Sequence, residues 1–163
     1  MELLRIYLQD HLAACTGAVE LAQRAYGSNR GSEFGPGLAA VREQLSDDRD
    51  ALLDAMRRLG FERDRMKEGA AWAAEKAGRL KLNGRLRGYS PLSRVVELEA
   101  LALLLLGQRQ MWDALARATA DNPRMADVDA AGRAARTDEA LARVAELHRR
   151  ATALAFPLPS PAA

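Results

Sequence analysis

SPLSRVVELEALALLLLGQRQMWDALARA, residues 90–118, is the stretch that decides the fold. Ser90 supplies an N-cap oxygen, and Pro91 at the first helical position gives up no hydrogen bond the helix would have made, so a helix starts here. Running to about Ala118, it carries Leu92, Val95, Val96, Leu103 and Leu106 on one side. Leu98, Leu101, Leu104, Leu105, Trp112 and Leu115 occupy much of the other. A helix apolar nearly all round is buried on more than one side. Either the segment at 64–82 or another subunit covers the second face.

Before this helix lie two more long amphipathic segments. Residues 2–26 place Leu4, Leu8, Cys15, Ala18, Ala22 and Ala25 at spacings of three and four, and Gly27 to Gly31 are expected to end the helix. Residues 37–59 repeat the pattern with Leu38, Val41, Leu45, Leu52, Ala55, Met56 and Leu59. Gly60 follows where a left-handed C-terminal cap would sit. The connection between them, rich in glycine with Pro36, is short enough to make the two helices antiparallel neighbours.

Between Phe61 and Tyr89 the periodicity is weaker. Met66, Ala70, Ala73, Ala77 and Leu80 keep helical spacing, which predicts a shorter helix over 64–82 ended by Asn83-Gly84. The rival is a hairpin about Asn83-Gly84, but its register would mix leucine and cation on both faces. A last helix shows Leu141, Val144, Ala151 and Ala155 on one face; both Asn122 and Thr137 could cap its start. The tail from Pro157 to Ala163 carries Pro157, Pro159 and Pro161 and is expected to be a loose end. The whole is therefore an all-α chain, one bundle domain over 1–156: an up-down pair, a long crossover containing a shorter helix, and a second up-down pair.

Composition agrees with this order. A chain of 163 residues buries one sizeable core and is short for two domains. Its alanine and leucine far outnumber the β-branched residues that sheets favour. The formal charge of +2 is too small to argue for nucleic acid on its own. Cys15 is the single cysteine, so no intrachain disulfide forms. Glu2, Asp10, His11 and Glu20 interrupt the apolar stretch that a signal peptide needs, and the run Ala100–Leu106 is far short of a membrane span. A cytoplasmic location without membrane contact is the expectation.

Each long helix carries an ionisable residue on or near its apolar stripe: His11, Asp48, Glu99 and His148. On a helical wheel the two histidines fall near mid-stripe and Asp48 toward an edge, while Glu97 lies among the leucines of the other apolar side. Buried charges need partners, a metal or an escape to the bundle end. With two helical hairpins, a long crossover, the run Tyr7-Leu8-Gln9-Asp10-His11 and the hairpin ending Met56-Arg57-Arg58-Leu59-Gly60, the chain resembles the ferritin-like superfamily, in particular its small stress-associated bacterial members. Dimetal members place a Glu on two helices and a Glu-x-x-His pair on the other two. Here Ala145 stands three residues before His148 and Leu8 three before His11, so those ligands do not carry over.

A reduced mononuclear site at His11, Asp48, Glu99 and His148 would suit iron, manganese or zinc. In the competing reading no cofactor is expected: the histidines are neutral and bonded to carboxylates across the bundle, and Asp48 and Glu99 pair with Arg49 or other cations. A second candidate is the basic stretch from Lys76 to Arg94, without an acidic residue and flanked by Trp72 and Tyr89. Arg79, Lys81, Arg85 and Arg87 could hold a phosphate, an acidic protein or a nucleic-acid backbone, or form a solvated surface. Cys15, between Leu8 and Ala22 on its stripe, reads as an unreactive buried thiol. The expectation for function is a non-enzymatic bundle acting by binding or assembly, as a homodimer packed through the third long helix. The alternatives are a redox bundle with the mononuclear centre and a phosphate or nucleic-acid binder.

Overall fold

The computed structural model describes residues 1–61 and 89–157. The shorter helix expected at 64–82, and the tail from residue 158, lie outside the described residues. Among the described residues all regular structure is helical: α1 (Glu2–Asn29), α2 (Gly35–Arg58), α3 (Pro91–Ala118), a 3-10 turn (Pro123–Met125) and α4 (Ala130–Ala155). No helix among them is long and apolar enough to cross a membrane.

The helix ends show how local chemistry sets the bundle. α1 continues through Gly27, because its last turn is held from outside. Asn29 is buried; its amide nitrogen donates to the Ala25 carbonyl at 2.8 Å and to the Tyr89 hydroxyl at 2.9 Å, and its amide oxygen accepts from Arg94 at 2.7 Å. α2 accordingly begins at Gly35 and the link shrinks to residues 30–34. A Cβ on Gly35 would stand 2.8 Å from the Arg30 carbonyl oxygen, so only glycine closes this link without a shift. Phe34 is driven inward by the tight turn and is 1% exposed.

At the other end of α2, Gly60 takes φ +75°, the left-handed conformation that favours glycine. Phe61 N–H donates to the Met56 carbonyl at 2.9 Å and Gly60 N–H to Arg57 at 3.0 Å, the paired bonds of a Schellman cap. α3 starts as its sequence indicates, with Ser90 Oγ accepting from Ser93 N–H at 3.1 Å. α4 is capped by neither candidate. Asn122 caps the 3-10 turn, Thr137 is buried inside the helix, and the Asp129 carboxylate accepts from Gly132 N–H at 2.8 Å to start α4 at Ala130.

α1 packs on α2 and α3, and α4 packs on α3 and α2. The core divides in two along the bundle axis. One cluster gathers the C-terminal half of α1 (Ala18 to Ala25), the N-terminal halves of α2 and α3, and the C-terminal half of α4. The other gathers Leu8 to Cys15, the last turns of α2, Met111 to Leu115 and the start of α4. On α3 the inward side is the Leu98, Leu101, Leu105, Trp112, Leu115 side, joined by Val95. Leu92, Val96, Leu103 and Leu106 remain exposed.

Candidate functional site

Between the two apolar clusters, each helix contributes one polar side chain to a connected chain of hydrogen bonds. Cys15 of α1 donates its S–H to Gln108 Oε1 of α3 at 3.7 Å. Gln108 Nε2 donates to Asp48 Oδ2 of α2 at 2.7 Å. Asp48 Oδ1 accepts from a terminal nitrogen of Arg133, on α4, also at 2.7 Å. Asp48 is 1% exposed and Gln108 2%, whereas the Arg133 side chain is 20% exposed and reaches Asp47 at 3.8 Å. The layer thus runs from a surface cleft, lined by Asp47, Asp50 and Asp54 beside Arg133, to the inner face of α1.

Electrostatics follow from that burial. Loss of water pushes the Asp48 carboxyl above its usual range, and the hydrogen bond and charge of Arg133 oppose the rise. The Cys15 thiol is pushed up to about 12, by burial first and then by the negative charge of Asp48. A thiol that donates to an amide oxygen and is held protonated by its burial is not an activated nucleophile. Arg133 also lies over the Trp112 ring, 5.6 Å from its centroid, a cation–π distance. Trp112 is fully buried and its indole N–H has no partner among the described residues.

The four residues singled out from the sequence are spread over three places. Asp48 is in the layer, with both carboxylate oxygens engaged by Gln108 and Arg133. Glu99 and His148 meet at 3.1 Å near the surface, between α3 and α4. His11 is half-buried against the Tyr7 ring, 4.5 Å between centroids, and burial lowers its pKa against the opposing pull of Asp10. Among the described residues no group of three or more His, Cys, Asp or Glu is placed to hold a metal ion. The four side chains thus stand in three separate places, and both oxygens of Asp48 have donors. Arg49 bonds to Asp50 rather than to Asp48.

Arg79, Lys81, Arg85 and Arg87 lie outside the described residues, as does Trp72. The ends of that stretch are described. The Tyr89 hydroxyl donates to Glu97 at 2.7 Å, and its pKa is raised by burial and by that bond. Glu97 also accepts from Arg24 at 3.2 Å, so the polar residue among the leucines of α3 is satisfied by two donors. Arg94 stacks over Phe34 at 4.3 Å and Arg150 over the same ring at 5.2 Å.

Gln108 and Arg133 escaped the sequence reading. Gln108 interrupts the inward α3 series Leu101, Leu105, Met111, Leu115 at helical spacing, and that interruption was the available signal. Arg133 gave none, since it flanks the buried series of α4 without belonging to it. No protein-family model, curated protein or solved structure matches this chain.

Proposed function

We propose that this chain is a non-enzymatic, ferritin-like helical bundle that acts by binding and assembly, as a homodimer packed through α3. In support of the ferritin-like topology, the N-terminal half of α3 shares a core cluster with the C-terminal half of α1 and the N-terminal half of α2. α2 stops at the end of the bundle opposite the start of α3, the placement of helix ends that a long crossover of that superfamily requires. In support of a non-enzymatic role, the buried polar layer pairs its carboxylate with a guanidinium and its thiol with an amide, leaving neither base nor nucleophile free.

One observation carries the assembly reading: apart from Glu99, the outward row of α3 is apolar. Leu103 is 72% exposed, Leu106 49%, and Leu92 and Val96 41% each. A groove of about 590 Å³ between α3 and α4 is lined by Leu103 and Leu106 of that row, by Ala102, Leu141 and Ala145, and by the Glu99–His148 pair. A two-fold axis makes one patch meet itself. Here the protruding Leu103 and the hollow that could receive it lie on the same face, so a second copy of the chain satisfies both. Static light scattering on a sizing column tests this. The wild type is expected at twice the chain mass and the Leu103→Asp, Leu106→Asp variant at the chain mass, with unchanged helicity. A wild type that stays monomeric at every concentration refutes the reading.

A further inference from the structure

The three bonds of the buried layer, Cys15 to Gln108, Gln108 to Asp48 and Asp48 to Arg133, all cross from the α1–α2 hairpin to the α3–α4 hairpin, near the middle of the bundle. We infer that this layer is a latch, which fixes the two hairpins at one relative height and holds shut the seam between them.

The apolar clusters above and below the layer do not set that height. They are built largely of leucine and alanine at helical spacing, so sliding one hairpin by a turn against the other brings leucine and alanine stripes together again. A buried carboxylate tolerates no such slide. At any other height Asp48 would face an apolar side chain in place of Gln108 and Arg133, and an unpaired buried charge is strongly disfavoured. A single polar layer in a helical seam is a known means of fixing register, at a cost in stability. Of the other inter-hairpin contacts, Arg24 with Glu97 and Gln44 with the Arg136 carbonyl reach solvent, and buried Asn29, bonded to Tyr89 and Arg94, sits at the end of α1 rather than mid-bundle. Arg133 is the one member of the layer with a substantial wet surface, and it faces the cleft.

The test replaces the layer by apolar side chains of similar length, in the full chain: Asp48→Leu, Gln108→Leu and Arg133→Met together. The expected result is a helical protein whose denaturation midpoint is unchanged or higher, but whose amide ¹H–¹⁵N spectrum shows several peak sets or broadened seam residues where the wild type gives one set. A single sharp set in the triple variant overturns the inference. Should that variant fail to fold, Asp48→Asn decides, since it removes the charge and keeps the shape. Hydrogen exchange of core amides on both sides of the seam is then expected to be about tenfold faster or more. Exchange equal to that of the wild type overturns the inference as well.

Discussion

Arg133→Met removes the positive charge bonded to Asp48 while keeping an unbranched stem to pack over Trp112. The carboxylate left behind is 1% exposed and cannot be rehydrated without opening the bundle. Breaking a buried ion pair by deleting one partner costs about 3–5 kcal/mol. The lower end applies here, because Arg133 is partly wet in the native protein and Gln108 still donates to Asp48. With a urea slope of about 2 kcal/mol/M, a loss of about 3 kcal/mol lowers the midpoint at pH 7 by roughly 1.5 M.

The pH dependence carries a definite sign. Burial raises the Asp48 carboxyl above its ordinary value and Arg133 is the main force pulling it back, so the variant's carboxyl lies higher still. A carboxyl raised in the folded state is protonated there while the unfolded chain has already ionised. Its contribution to stability is therefore full below the unfolded pKa and is lost as pH rises toward the folded pKa, at up to about 1.4 kcal/mol per pH unit. That window extends to higher pH in the variant than in the wild type. Between pH 7 and pH 5 the difference between the two proteins is expected to shrink by roughly 1–3 kcal/mol. Urea melts followed by far-ultraviolet circular dichroism at both pH values provide the measurement. A midpoint shift below about 0.5 M that is the same at pH 5 and pH 7 would show that Asp48 and Arg133 do not form a buried pair.

Two further outcomes follow from residues already placed. With its pKa pushed up to about 12 and 3% exposure, the Cys15 thiol should not react with a disulfide reagent at pH 8 in the native protein and should react fully in denaturant. Its thiolate fraction at that pH is on the order of 10⁻⁴, and prompt labelling of folded protein would contradict the packing around α1. Ser90→Ala removes the cap oxygen that accepts from Ser93 N–H, and is expected to cost about 1 kcal/mol in thermal or urea unfolding, with Ser90→Thr close to wild type.

The elements whose signals are local were legible in the sequence. Ser90-Pro91 marks the start of α3 because both residues act on bonds within one turn, and Gly60 marks the end of α2 because a left-handed residue is needed at that spot alone. Where the signal depends on a distant partner, legibility ends. Gly27 looks like a stop, yet α1 runs on because Asn29 is gripped by Tyr89 and Arg94 from across the bundle. Asp129 is the cap of α4 in a stretch where Asn122 and Thr137 are equally good candidates by residue type, and only the packing of Met125 and Ala130 into the lower core cluster selects it.

The site was half legible for the same reason. A helical wheel ranks a residue by its angle about its own axis and says nothing of height along the bundle. His148 stands near mid-stripe when the stripe is drawn through Leu141, Val144 and Ala151. The line α4 actually buries runs Thr137, Ala140, Val144, Leu147 and Ala151, which turns His148 to the edge, where it meets Glu99. Asp48, placed toward an edge by the sequence, falls within the series α2 buries, Leu38, Val41, Leu45, Asp48, Leu52 and Ala55, at the height where Gln108 of α3 and Arg133 of α4 both reach it. A polar residue within a buried stripe therefore needs its partner at the same height. Here that partner was an arginine outside every stripe. Its identity was fixed by the heights that the short link 30–34 and the Asp129 cap impose on α2 and α4.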